Sequence, residues 1–115
     1  MEKTMRGYKN PELLWTPEGL RQTLDNSPPL IIDTRTTHEY VEGHIPGAVH
    51  FDLFGLNVRH TGPESLDSFL WMMEGLFGNR GVDHDVTVVV YDAQTGVRAA
   101  RAFWFLEYFG HEDTH

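Results

Sequence analysis

The chain has 115 residues, 40% of them hydrophobic and 23% charged, with seven Phe, four Tyr and three Trp to fill a core. That is the composition of one folded domain and excludes a disordered chain. A net charge of −8 excludes general attraction to nucleic acid or anionic membranes. The absence of cysteine excludes disulfides, thiolate metal ligands and any thiol nucleophile.

Residues 1–10 are polar and predict a flexible N-terminus without a signal peptide; no segment is long and apolar enough to span a membrane, and a cytoplasmic domain over residues 11–115 is the expectation. Pro11–Trp15 reads as a short edge strand. Thr16 then caps a helix with Pro17 at its first position and Glu18 at the positive helix end. Leu30-Ile31-Ile32, ending in Asp33, is a continuous apolar run and predicts a strand buried on both faces. Thr36 and Glu39 have capping-box spacing and open a short helix that Gly43 stops. A second strand is expected over Ala48–Phe51, after the Ile45-Pro46-Gly47 turn.

Gly55–Gly62 has no pattern and reads as a loop. From Ser65 to Phe77, Leu66, Phe69, Leu70, Met73, Leu76 and Phe77 recur at helical spacing. Val86–Tyr91 is the strongest strand. The loop Asp92–Val97 leads to a helix from Arg98 to Phe109, with Gly110 as its C-cap. Phe103, Trp104, Leu106 and Phe109 are expected in the core, and Arg98 and Arg101 on a solvated or ion-paired face. Alternating strands and helices with buried strands predict an α/β domain: three layers, a mainly parallel sheet, helices on both faces.

The stretches Leu30–Arg35, Glu39-Tyr40 and Gly43-His44-Ile45-Pro46-Gly47-Ala48-Val49 resemble the N-terminal signature of rhodanese domains. Val88–Asp92, Ala99–Trp104 and Phe109–Asp113 resemble the non-catalytic, N-terminal domain of tandem thiosulfate or 3-mercaptopyruvate sulfurtransferases. The likeness covers residues 11–113. It implies a second rhodanese domain in cis, a small anionic sulfur compound as substrate of the parent protein, and no cofactor or metal. The alternative is a stand-alone binding or regulatory module.

In active members the resemblance implies a cysteine at the position of Asp92, carrying a persulfide over loop amides and a helix N-terminus. A carboxylate cannot take up sulfur that way, but it can sit on the same amides. Asp92, Gly96 and Arg98 are therefore expected to form a vestigial anion loop closed by its own acid. Catalysis by an aspartyl nucleophile is the weaker reading, since no acid cluster for a metal accompanies it. Asp33, Arg35 and Glu39 are expected to form one structural network of charges and hydrogen bonds. His44 is expected to bond within the Gly43–Ala48 turn; His44, His50 and Asp52 have no standard metal spacing.

The resemblance also implies one more strand and helix after Asp113, with that strand inside the sheet. Each buried unpaired backbone group costs about 1–3 kcal/mol against a total stability of roughly 5–15 kcal/mol. A chain stopping at His115 is thus expected to be a C-terminally truncated fragment, marginal when isolated.

Overall fold

A computed structural model describes residues 9–58, 60–93 and 95–115, so residues 1–8 of the expected flexible N-terminus lie outside the described residues. Pro11–Leu13 is a 3-10 turn, not the expected strand, and only Trp15 takes part in a bridge. Pro11 fixes φ and brings no N–H, which favours a turn. The Leu13 and Leu14 amides close it by donating to the carbonyls of Asn10 (3.2 Å) and Pro11 (3.3 Å).

Helix α1, Pro17–Thr23, begins as expected: the Thr16 hydroxyl accepts from the Gly19 amide at 3.0 Å. Strand β1, Leu30–Asp33, is followed by α2, Thr37–Glu42, with the Thr36–Glu39 capping box formed in both directions. Strand β2 is only Val49–His50; helix α3 spans Pro63–Asn79, starting earlier than expected because Pro63 suits the first helical turn. Strand β3 is Val88–Tyr91 and helix α4 is Val97–Tyr108. The C-cap of α4 is Phe109, not Gly110. Gly110 follows it in the left-handed region at φ +84°, where the Gly110 and His111 amides donate back to Glu107 and Leu106 in a Schellman closure.

Among the described residues the sheet has three strands, all parallel, in the order β2-β1-β3. Alternation along each strand divides the core. Ile32 and Val88 face Phe51, Met73, Phe77, Phe105 and Leu106 on the side of α3 and α4. Ile31 and Val89 face Leu20 of α1 and Ala48 on the other. This two-sided burial is why the strands read as unbroken apolar runs.

Each outer margin of the sheet is dressed. Asp113–His115 runs parallel to β3, with Val88 N–H donating to Asp113 O (2.9 Å), His115 N–H to Val88 O (2.8 Å) and Val90 N–H to His115 O (2.8 Å). At β2, Arg80 donates from Nε to the His50 carbonyl at 2.9 Å and from its guanidinium to Leu76 O at 2.8 Å, while stacking 4.0 Å over the Phe51 ring. Burial lowers the pKa of the Arg80 guanidinium from its ordinary value. No helix among the described residues is long and apolar enough to cross a membrane.

Candidate functional site

The carboxyl ends of β1 and β3 deliver the chemistry-bearing side chains to one rim of the sheet, where open α/β folds place their sites. Asp33, the last residue of β1, is fully buried. Arg35 meets it two-pronged: Nε donates to Oδ1 at 3.0 Å, Nη2 to Oδ2 at 2.7 Å, and the Arg35 amide adds a third bond at 2.9 Å. The Tyr91 hydroxyl, from the end of β3, donates to Asp33 Oδ2 at 2.7 Å and accepts from the Ile45 amide at 3.2 Å. Arg35 also donates to Gly43 O at 2.6 Å. The pair thereby ties the Gly43–Ala48 turn to the sheet.

The charges follow from this geometry. Burial pushes the Asp33 carboxyl up, but the hydrogen bonds from Arg35 and Tyr91 together outweigh it and hold it below its ordinary value. The bond to Asp33 raises Arg35 further into its charged range. Burial first, and then the neighbouring Asp33, push the Tyr91 phenol up.

The single network expected for Asp33, Arg35 and Glu39 divides in two. Glu39 Oε1 accepts from the Thr36 hydroxyl at 3.0 Å and the Thr36 amide at 3.3 Å, because the capping box turns it toward the helix start. His44 does not bond within its turn. Its ring lies 3.7 Å from the Tyr40 ring, nearly parallel, and its Nδ1–H donates to the Tyr40 carbonyl at 2.7 Å; stacking draws it back over α2. His50 is engaged elsewhere, with Nε2 donating to Arg35 O at 2.7 Å. Among the described residues, no group of three or more His, Asp or Glu side chains gathers to hold a metal ion.

At the end of β3 the Asp92 carboxylate lies against backbone donors. Oδ1 accepts from Ala93 N–H at 2.7 Å; Oδ2 accepts from Arg98 N–H at 2.8 Å and Ala99 N–H at 3.3 Å. Those last two amides belong to the first turn of α4, which has no intrahelical partners for them. Gly96, at φ +78°, turns the chain into the helix through the left-handed region. Gln94, inside this loop, lies outside the described residues. The Arg98 guanidinium pairs with the Asp52 carboxylate and sits 4.5 Å over the Phe54 ring, while Arg101 donates to the Leu56 carbonyl. Asp52 Oδ1 also accepts from the Phe54 amide at 3.0 Å, fixing the loop that holds Arg98.

One core expectation fails nearby. Leu106 is buried, but Trp104 is 57% exposed, because two residues along a helix turn the side chain about 200° away. Sequence reasoning did not find Tyr91 or Thr34 as site residues. The buried Thr34 hydroxyl donates to Tyr91 O at 2.8 Å and locks the ends of β1 and β3 together. The available signal was register: Asp33 and Tyr91 end the two strands as direct neighbours.

The family model for the rhodanese-like domain matches residues 16–115. The chain is 39% identical over 85 residues to a 3-mercaptopyruvate sulfurtransferase of Escherichia coli, covering 70% of this chain and 28% of that protein. It is 33% identical over 112 residues to the sulfur carrier protein TtuD of Thermus thermophilus, covering 93% of this chain and 37% of that protein. With a thiosulfate sulfurtransferase of Pseudomonas aeruginosa it shares 31% over 111 residues, 96% of this chain and 41% of that protein. The chain thus spans between a quarter and about two fifths of the length of these relatives. On the matched family model and the parallel α/β sheet, it belongs to the rhodanese-like domain family and is related to sulfurtransferases.

Proposed function

We propose that this chain is a catalytically silent rhodanese-like domain, the structural half of a two-domain sulfurtransferase whose reactive thiol lies on the other domain. The parent reaction is sulfur transfer from thiosulfate or 3-mercaptopyruvate to an acceptor such as cyanide or a thiol. One observation carries the reading. Where the family resemblance implies a persulfide-forming cysteine, Asp92 stands with its carboxylate on the amides of Ala93, Arg98 and Ala99. Carboxylate oxygens offer no polarisable sulfur, and the amides of Ala93, Arg98 and Ala99 are already engaged by the acid. Asp92, Gly96 and Arg98 form a vestigial anion loop, while Asp33 and Arg35 hold the adjoining turn in place. The role left to the domain is to wall and shape the active-site cleft of its partner.

Two measurements test this. Purified chain mixed with thiosulfate and cyanide should form no thiocyanate above the uncatalysed rate; steady turnover would overturn the reading. Titration with thiosulfate, followed at the amides of residues 93, 98 and 99, should give no saturable shift at micromolar concentration. The coding sequence beyond His115 separates the structural half from a stand-alone module: a second rhodanese-like domain with a cysteine loop supports the former, an unrelated domain or a stop the latter.

A further inference from the structure

The outer faces of α3 and α4 leave a groove of about 420 Å³ between them, walled by Leu66, Phe69 and Leu70 on one side and Trp104, Phe105 and Tyr108 on the other. Trp104 and Tyr108 are 57% and 55% exposed and stack on each other with ring centroids 5.4 Å apart. Contiguous exposed aromatic surface of this kind marks an interaction site more often than scattered apolar residues do. No acid among the described residues lines the groove itself, but the exposed face of α3 next to Leu66 and Leu70 is acidic. Asp67, Trp71 and Glu74 follow one another at spacings of four and three residues along that face, and Trp71 is 78% exposed. The helix also carries Glu64, and from Pro63 to Asn79 it contains no Lys, Arg or His. Among the described residues, the one guanidinium that lines the groove, that of Arg101, is bonded to the Leu56 carbonyl.

We propose that this groove docks a basic amphipathic helix of a partner protein. An apolar row of that helix would fill the trough, as helix-in-groove recognition requires. Its arginines would pair with Asp67 and Glu74 and stack on the Trp71 indole, the aromatic face that best attracts a guanidinium. The same charges argue against a second copy as occupant: two chains of net charge −8 would bring like-charged ridges together. The inference is independent of the Asp92 loop.

The test uses the full 115-residue chain, isotopically labelled, and two synthetic helical peptides with one leucine row in common. One peptide carries arginine beside that row and the other glutamate. The arginine peptide should give saturable shifts confined to α3, α4 and the Asn57–Val58 segment that also lines the groove, and bind about tenfold more tightly than the glutamate peptide, as two exposed ion pairs and one cation–π contact would provide. Asp67→Asn with Glu74→Gln should remove most of that preference. Trp104→Ala should weaken both peptides. All three substituted positions are exposed, and circular dichroism verifies the fold of each variant. Equal affinity for the two peptides, shifts centred away from α3, α4 and Asn57–Val58, or no saturation would overturn the proposal. So would self-association of the free chain that shifts Trp104 and Tyr108, since the occupant would then be a second copy.

Discussion

The Asp92 carboxylate accepts a hydrogen bond from the backbone amide of Arg98, six residues further on, at 2.8 Å. It thus acts as a helix cap delivered from outside the usual capping position, which is held by Gly96 with no side chain to offer. Asp92→Ala should lower stability by about 1 kcal/mol, and it should expose the amides of Ala93, Arg98 and Ala99. Chemical denaturation measures the first effect. A new saturable response of those amides to sulfate measures the second.

Asp92→Cys places a thiol over the same donors. Its pKa should fall below the free-cysteine value of roughly 8.5. The rate of alkylation against pH gives the pKa directly. A value at or above that of a free thiol would mean the loop is not electropositive. The prediction concerns acidity; transfer of sulfur would need further changes in the loop.

Arg35→Ala removes the partner of a fully buried carboxylate. Breaking a buried pair from one side typically costs about 3–5 kcal/mol, so the variant should unfold at much lower denaturant. The pH dependence should change as well. Because the Asp33 carboxyl is held below its ordinary value when folded, the unfolded chain binds the proton more readily. The pair's contribution is therefore present at neutral pH and is lost as pH falls from about 5 through the folded value. Asp113 adds to the same acid slope, since the bonds from Thr87 and His115 hold its carboxyl low. Stability measured from pH 7 downward should fall less steeply in Arg35→Ala than in the parent chain.

Tyr91→Phe deletes one hydroxyl that both donates to Asp33 and accepts from Ile45. Leaving such partners unsatisfied costs about 1–3 kcal/mol. The specific signature is local: hydrogen exchange at the Ile45 amide should speed up more than exchange in β1.

Gly96→Ala isolates a backbone effect. A Cβ there would meet nothing within 4 Å, so no clash contributes. The left-handed φ of +78° alone should cost about 1–2 kcal/mol. Denaturation of this variant beside Gly43→Ala, at a glycine outside that region, checks the assignment.

Much of this was legible in the residues. Leu30–Ile32 and Val88–Val90 are apolar without alternation because both faces of the sheet are covered, and that pattern alone predicted parallel strands between helical layers. The Thr16 cap and the Thr36–Glu39 box mark helix starts through local bonds, which sequence spacing encodes directly. Pro11–Trp15 misled because its apolar residues fit a strand, while the proline's missing N–H decided for a turn. At the site, Asp33 with Arg35 was readable as a pair two residues apart. Tyr91 was not, because its contact with Asp33 spans 58 positions and exists only through the register of β1 against β3. His44 was misplaced for a related reason: an aromatic stack one helical turn back overrode the turn it sits in.

Arg80 has a consequence beyond the bonds it makes. Strand β2 is two residues long, and a bulky cation already occupies its outward carbonyl at His50, so this margin is a poor template for a foreign strand. The opposite flank is lined by Asp113–His115 along β3, and the outer side of that ribbon meets the N-terminal turn: the His115 ring bonds the Glu12 carbonyl at 2.8 Å and stacks 4.7 Å from the Trp15 ring. At the β2 border, sideways recruitment of extended polypeptide is thus discouraged by a single side chain and not by a neighbouring strand.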